Sequence, residues 1–284
     1  MSVSVAEPRA LSRRKPRQRL VIRAGRFALS LHALFFYFFL YVPIVILIIF
    51  SFNDSKSVFV WHGFTLRWYQ KVFQDELLLM ALRNTLIVSV AATVISTILG
   101  TMVSVALERW DFRLKLPFDA LLFLPIVIPD ISMGVMLLAF FALVGLAQGL
   151  TSVVISHIAF NISFVAVIVR ARMASLDPRL EEAAQDLGAN EWQTFWRVTF
   201  PLLIPGILGG ALTAFTLSID DYVITFFTAG NKSLLSLRIY SLVKTGVKPD
   251  INALSSLMLL VSMGLVILSL ALQRRGGGKG VSIM

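Results

Sequence analysis

Three aspartates stand inside otherwise apolar runs: Asp130 in the stretch 120–169, and Asp220 and Asp221 in the stretch 202–227. A carboxylate at the centre of a membrane helix costs on the order of 2.5–3.5 kcal/mol on insertion scales, so such residues line an interior path or pair with another helix. The chemistry open to them is holding cations. Asp130 follows Pro125 and Pro129. Their missing N–H groups free carbonyls and bend the run, which puts an acid at a helix break. Asp220 and Asp221 are adjacent and on a continuous helix point roughly 100° apart. Asp220 continues a polar row with Thr213 and Thr216, and Asp221 one with Ser218 and Thr225. One carboxylate is expected in a lumen and the other against a neighbouring helix. The competing use of all three is capping or helix–helix hydrogen bonding. His157 and Asn161, four residues apart, read as interhelical hydrogen-bonding residues. With His32 and His62 they show no ligand spacing, so no metal site is expected.

The elements that position these acids follow from composition. The chain has 284 residues, is 57% hydrophobic with a mean hydropathy of +0.81, and contains no Cys. That is an integral membrane protein, without disulfides, thiolate zinc sites or a Cys nucleophile. The net charge of +10 does not indicate nucleic acid, because much of the excess lies in residues 1–26, where Arg9, Arg13, Arg14, Lys15, Arg17, Arg19, Arg23 and Arg26 face Glu7 alone. Beside an apolar span this is a topology signal or a contact with anionic lipid.

A bilayer core needs about 20 apolar residues per helix. Uncharged runs place six spans near 27–52, 85–107, 119–145, 151–170, 202–227 and 251–273, with a turn around Gly145–Gly149 dividing the third from the fourth. The first run is too long for a signal-peptide core and no A-x-A site follows, so it reads as a retained helix. The N-terminus, the loops 108–116 and 170–201 and the tail together carry 18 Lys and Arg, against 8 in the opposite loops. The positive-inside rule puts both termini in the cytoplasm. The expected fold is all-α and polytopic: a basic N-terminal segment 1–26, a transmembrane domain 27–273 and a tail 274–284.

The loop 177–201 has its own design. Asp177 and Pro178 form a helix start, Glu181 and Glu182 suit the positive end of a helix dipole, and Gly188 supplies a stop. Leu180, Ala183, Ala184 and Leu187 make one apolar stripe, and Asn190 caps a second helix ending before Pro201, with Trp192, Phe195, Trp196 and Thr199 on one face. The residues alone admit a docking knob for another protein or an interfacial helix pair packed on its own bundle. Glu191 contacts a partner or complements the second helix dipole.

Glu182-Ala183-Ala184, three residues, Gly188, nine residues and Val198-Thr199-Phe200-Pro201 resemble the EAA signature of ABC importer permeases, with Val198 and Phe200 standing for the usual Ile and Leu. The strings YVPIVILIIFSFN (41–53), GFTLRWY (63–69), PDISMG (129–134), FTLSIDDYVITFF (215–227) and VKPDINALSSL (247–257) are similar to the permeases of spermidine/putrescine importers, over about Tyr41 to Arg274. The resemblance implies a type I ABC importer permease fold in a bacterial cytoplasmic (inner) membrane. It implies as partners two ATPase subunits that bind ATP and Mg, a second homologous permease and an extracytoplasmic solute-binding protein. It assigns Glu182, Ala183, Ala184, Gly188, Glu191 and Pro201 to coupling with the ATPase. It places Trp68, Asp130, Ser218, Asp220 and Asp221 on the substrate path.

No nucleotide site is expected in the chain itself, and therefore no cofactor: Gly276-Gly277-Gly278-Lys279-Gly280 lacks both the earlier Gly and the following Ser or Thr of a P-loop. Two other classes stay in view. An intramembrane aspartyl protease would use acids from two spans, but the G-x-G-D setting that it needs is absent. A gradient-driven carrier would show inverted repeats, and none is found. Among ABC permeases the three acids favour a cationic cargo, polyamine or another cation, over an oxyanion.

Overall fold

The computed structural model describes residues 16–55, 60–246 and 249–276. The basic run up to Lys15, the glycine-rich tail from Gly277 and the first two residues of the 247–257 string lie outside them. The chain divides into two compact units, residues 1–50 and 51–284. The first holds α1 (Pro16–Phe50), whose Phe27–Phe50 part is the first expected span and exposes Phe35, Phe36, Phe38 and Phe39 along its length.

In the second unit a short antiparallel bridge, Asn53 with Phe64, precedes α2 (Arg67–Gln74) and α3 (Glu76–Arg109). The expected span 85–107 therefore starts nine residues early. Asp75 caps it by accepting from the Leu78 N–H at 3.0 Å, and Glu76 complements the dipole, so the helix runs on through Arg83. The expected span 119–145 is broken, as its prolines imply, into two helices, α4 (Lys115–Val127) and α5 (Asp130–Leu143), bent by 112°. Pro129 forces Ile128 out of the helical region, to ψ 131°, and cannot donate to the turn before it.

Next come α6 (Leu150–Ala174) and α7 (Arg179–Asp186). The latter starts one residue later than expected, with the Asp177 carboxylate accepting from the Arg179 N–H at 3.0 Å. The second loop helix does not end before Pro201. It begins as α8 (Glu191–Thr194), passes through a π-helical turn Phe195–Thr199 and continues as α9 (Phe200–Asp220). The Phe200 N–H bonds the Phe195 carbonyl, and this one-residue slippage lets Pro201 enter the first turn of α9, where a missing N–H costs nothing. The expected span 202–227 is likewise two pieces, α9 and α10 (Val223–Thr228), followed by α11 (Leu235–Lys244) and α12 (Pro249–Gly276).

Among the described residues four helical stretches are long and apolar enough to cross a membrane: Phe27–Phe50, α3, α6 and Glu191–Asp220; the bent pair α4–α5, taken as one span, makes a fifth. The 28 residues of α12, about 42 Å of helix, cover the sixth expected run. The fold is all-α and polytopic. Its centre is α3, α6 and α9, joined by small residues. A methyl on Gly100 would sit 2.8 Å from Val165, and one on Gly210 3.2 Å from the same side chain, so Val165 of α6 is gripped from both neighbours. Ser104 reaches across to the Ala166 carbonyl at 3.0 Å.

Gly100→Val should therefore force α3 from α6 and lower stability by roughly 1–3 kcal/mol in detergent melting curves. Gly264→Ala, with open space around it, should not lower it. Equal melting of both variants would contradict this packing.

Candidate functional site

The two interrupted spans meet. The break before α5 and the break after α9 border one cavity of about 410 Å3, lined by Pro125 and Ile126 of α4, Asp130 of α5, Phe160 and Phe164 of α6, Thr216 and Leu217 of α9, and the segment Asp220–Ile224. All three aspartates read from the sequence reach this cavity, but they do different work. Asp130 and Asp220 are exposed. Asp130 opens α5 directly after Pro129. Asp220 is the last residue of α9, one turn beyond Thr216, whose own hydroxyl is committed to the Leu212 carbonyl at 2.9 Å.

Asp221 does not share the helix of Asp220, because the backbone turns extended there, at ψ 119°. Its carboxylate caps α10. Oδ2 accepts from the Thr225 N–H at 2.7 Å and from the Thr225 hydroxyl at 2.8 Å, and Oδ1 faces the Ile224 N–H at 3.4 Å. The same Oδ2 lies 3.3 Å from Nε2 of His157 on α6, which is fully buried. The Thr225 hydroxyl hydrogen is used on Asp221, so that oxygen accepts from His157 Nε2–H at 3.0 Å. Nδ1 is then the acceptor for the Ser218 hydroxyl at 2.6 Å. This is the expected interhelical role of His157. Asn161, expected to act likewise, finds no hydrogen-bond partner among the described residues. Ser218, placed on the substrate path by resemblance, is buried against His157 and does not line the cavity.

Trp68 is a second departure. It is 7% exposed, packs with Val72, Leu78, Leu235, Ala253 and Leu254, and donates its indole N–H to the Asn53 carbonyl at 2.8 Å. Arg67 and Lys71 of its own helix already occupy its faces, at 4.5 and 5.7 Å from the ring centroid. It anchors α2 to α12 and is not brought to the cavity.

The segment 177–201 presents a second surface. None of the residues of α7 is buried; Leu187 is 90% exposed and Trp192 70%. Gly188 ends α7 at φ 88°, and the Ala189 N–H returns to the Ala184 carbonyl at 3.1 Å, the left-handed cap expected of a helix-stopping glycine. Ala183, Glu182 and Glu191 are exposed and Ala184 half-buried; the Trp192 and Trp196 rings meet edge to face, 5.6 Å apart. Pro201 belongs to α9 and stops nothing. The sequence reading missed the residues that hold this segment: Arg109 at the end of α3 bonds Glu181 of α7 at 2.6 Å and Thr199 of the π turn at 3.0 Å. Glu181, assigned with Glu182 to the helix dipole, carries this ion pair as well.

The family described as "Binding-protein-dependent transport system inner membrane component" matches residues 96–275. The chain is 40% identical over 239 residues to the spermidine/putrescine transport system permease protein PotC of Escherichia coli K12, covering 84% of this chain and 90% of that protein. It is 39% identical to the protein of the same name in Haemophilus influenzae, over 84% and 93%. It is 38% identical to the E. coli K12 putrescine transport system permease protein PotI, over 78% and 82%. Among solved structures it is similar to a chain of a bacterial alginate ABC transporter in complex with an alginate pentasaccharide-bound periplasmic protein, with a TM-score of 0.67, 21% identity and coverage of 93% and 99%. It is also similar to a chain of the inward-facing MetNI methionine ABC transporter, with a TM-score of 0.56, 18% identity and coverage of 75% and 100%. These two likenesses show the fold.

The two adjacent acids should separate in a melting experiment. Asp221→Ala strips α10 of its cap and leaves the N–H and hydroxyl of Thr225 without their acceptor, so it should cost about 1–3 kcal/mol. Asp220→Ala should melt within about 0.5 kcal/mol of the parent protein, as a solvated side chain would. A reversed order would contradict the division of roles.

Proposed function

The chain belongs to the family of binding-protein-dependent transport system inner membrane components, and from that premise we propose that it is the transmembrane permease subunit of an ATP-driven ABC importer for polyamines of the spermidine/putrescine class. With a second homologous permease it forms the pore, and it receives cargo from an extracytoplasmic binding protein. ATP and Mg are bound by two ATPase subunits on the cytoplasmic side. The excess of Lys and Arg on the termini and on the loops 108–116 and 170–201 supports that sidedness in a bacterial inner membrane.

The observation that carries the cargo assignment is the cavity where Asp130 and Asp220 converge beside Phe160, Phe164 and Tyr222. A polyamine is a flexible chain of methylenes between protonated amines. It needs separated carboxylates for the ammoniums and apolar or aromatic walls for the methylenes, and ring faces add about 0.5–2 kcal/mol per cation contact. An oxyanion would be repelled by both acids. The names of the 38–40% identical relatives point to the same cargo.

The exposed segment 177–201 supports the coupling role. Ala183 and Ala184 leave room for close approach, Glu182 and Glu191 offer carboxylates to basic groups of a partner, and Leu187 and Trp192 present apolar surface. In the proposed cycle, ATP closes the two ATPases, their movement carries this segment, and the bundle opens toward the loaded binding protein. Hydrolysis reverses the movement and releases cargo inside.

Vesicles containing the whole complex test the reading. Asp220→Asn and Asp130→Asn should each lower putrescine uptake about tenfold or more while the ATPases stay bound, since a charge-assisted contact is lost. Glu182→Ala, and Gly188→Ala with its strained left-handed backbone, should separate ATP hydrolysis from uptake. Wild-type uptake in both Asp variants would reject the cargo site, and uptake that survives removal of the ATPases would favour a gradient-driven carrier.

A further inference from the structure

Among the described residues, the side-chain hydrogen bonds from α7 to the rest of the bundle are those of Glu181. No residue of α7 is buried, so apolar packing on this helix is slight. Its fixed point is Glu181. That carboxylate bonds Arg109 at 2.6 Å and accepts a short hydrogen bond from the Thr199 hydroxyl, and Arg109 closes the triangle by reaching Thr199 at 3.0 Å. The guanidinium also lies 5.2 Å from the centroid of the Phe195 ring, in the π turn. Three elements meet at Arg109: the end of α3, the coupling helix and the turn that becomes α9.

We propose that Arg109, Glu181 and Thr199 form the joint through which movement of the 177–201 segment is delivered to the transmembrane helices. This rests on the reading of function above. Glu181 and Arg109 are positioning residues, distinct from Glu182, which is exposed and turned about 100° away on the same helix. Side-chain charges suit this task better than apolar contacts because they hold direction: a shared guanidinium fixes two acceptors at once. The π turn serves the same end. Its additional residue per turn sets Thr199, 2% exposed, facing the joint while Trp196 stays on the outer side.

The joint has a continuation. Glu108, the residue before Arg109, accepts from Arg170 of α6 at 2.8 Å, and Arg170 also pairs with Asp119 of α4. Consecutive residues at the end of α3 thus tie it to the coupling helix on one side and to α4 and α6 on the other. The far end of α4 is the break at Ile128 and Pro129 that places Asp130 at the cavity. A displacement of α7 is passed to α3 by one ion pair and to the wall of the cargo site by the next.

The test uses the assembled complex in vesicles, with putrescine uptake read per ATP hydrolysed. Arg109→Gln and Glu181→Gln should each lower that ratio at least about tenfold, within the usual range of coupling energies, while the ATPases still copurify. The exchanged pair, Arg109→Glu with Glu181→Arg, should recover to within about threefold, because the Thr199 hydroxyl can both donate and accept. Hydrogen exchange on the full chain in nanodiscs supplies a readout free of transport: Glu181→Gln should speed exchange in α7 and leave α6 unchanged. An unchanged ratio in both single variants, loss of ATPase binding in them, or an exchanged pair no better than either with α7 protection intact would each overturn the joint. If the parent complex hydrolyses ATP without moving putrescine, the functional reading fails instead, and the exchange measurement alone decides the joint.

Discussion

A helix that breaks within a membrane span leaves backbone N–H groups that need partners within the protein, and the carboxylate of Asp221 supplies them for α10. The cap it gives α10 allows α9 to end at Asp220 rather than continue straight through. Because α9 ends there, Asp220 is left at a helix terminus facing the cavity, and the segment to Ile224 can form part of its wall. The cap is itself braced from several sides. His157 meets it from α6, and the Asp221 carbonyl accepts from Ser236 of α11 at 2.7 Å. At the other end of α10, the Thr228 carbonyl accepts from Ser152 at 2.8 Å. The cavity wall from Asp220 to Ile224 depends on this braced short helix.

The opposite wall solves the same problem with proline. Pro129 has no N–H to leave unsatisfied, so the gap between α4 and α5 begins with a donor already removed. Two different devices, a carboxylate cap and a proline break, thus open two spans at one place. A third lies at the other end of α9, where a π turn lets Pro201 enter a continuous helix. The chain departs from regular helix at the cavity wall and at the start of α9, and regular packing of small residues around Val165 holds α3, α6 and α9 in register.

What the sequence disclosed follows the same physics. Apolar runs and charge counts make spans legible, since a bilayer demands them residue by residue. Pro129 announced a break, but not its 112°, which depends on how α5 lies against residues far along the chain. The short amphipathic helices α2 and α11 were lost among charged loop residues, and with them the burial of Trp68, whose partners Leu235, Ala253 and Leu254 lie more than 160 positions away. Arg109 meets Glu181 across 72 residues and His157 meets Ser218 across 61, separations at which no local pattern survives. The three aspartates were legible because an acid in an apolar run is improbable by itself. Which of them was free to meet a ligand was not, because that depends on partners.

Two pairs of adjacent acids, Glu181-Glu182 and Asp220-Asp221, show how that freedom is assigned. In each pair one carboxylate is consumed by the protein and its neighbour is left outward: Glu181 on Arg109 with Glu182 exposed, Asp221 on α10 and His157 with Asp220 at the cavity. The means differ. Glu181 and Glu182 are separated by the rotation of a helix that continues past both, whereas Asp220 and Asp221 are separated because the helix ends between them. In each case the bound acid fixes the backbone from which the free one projects. The free acid therefore loses little conformational entropy when a partner or cargo arrives, because its neighbour has already immobilised the chain. Each of these two doubled acids is a single outward carboxylate together with its mounting.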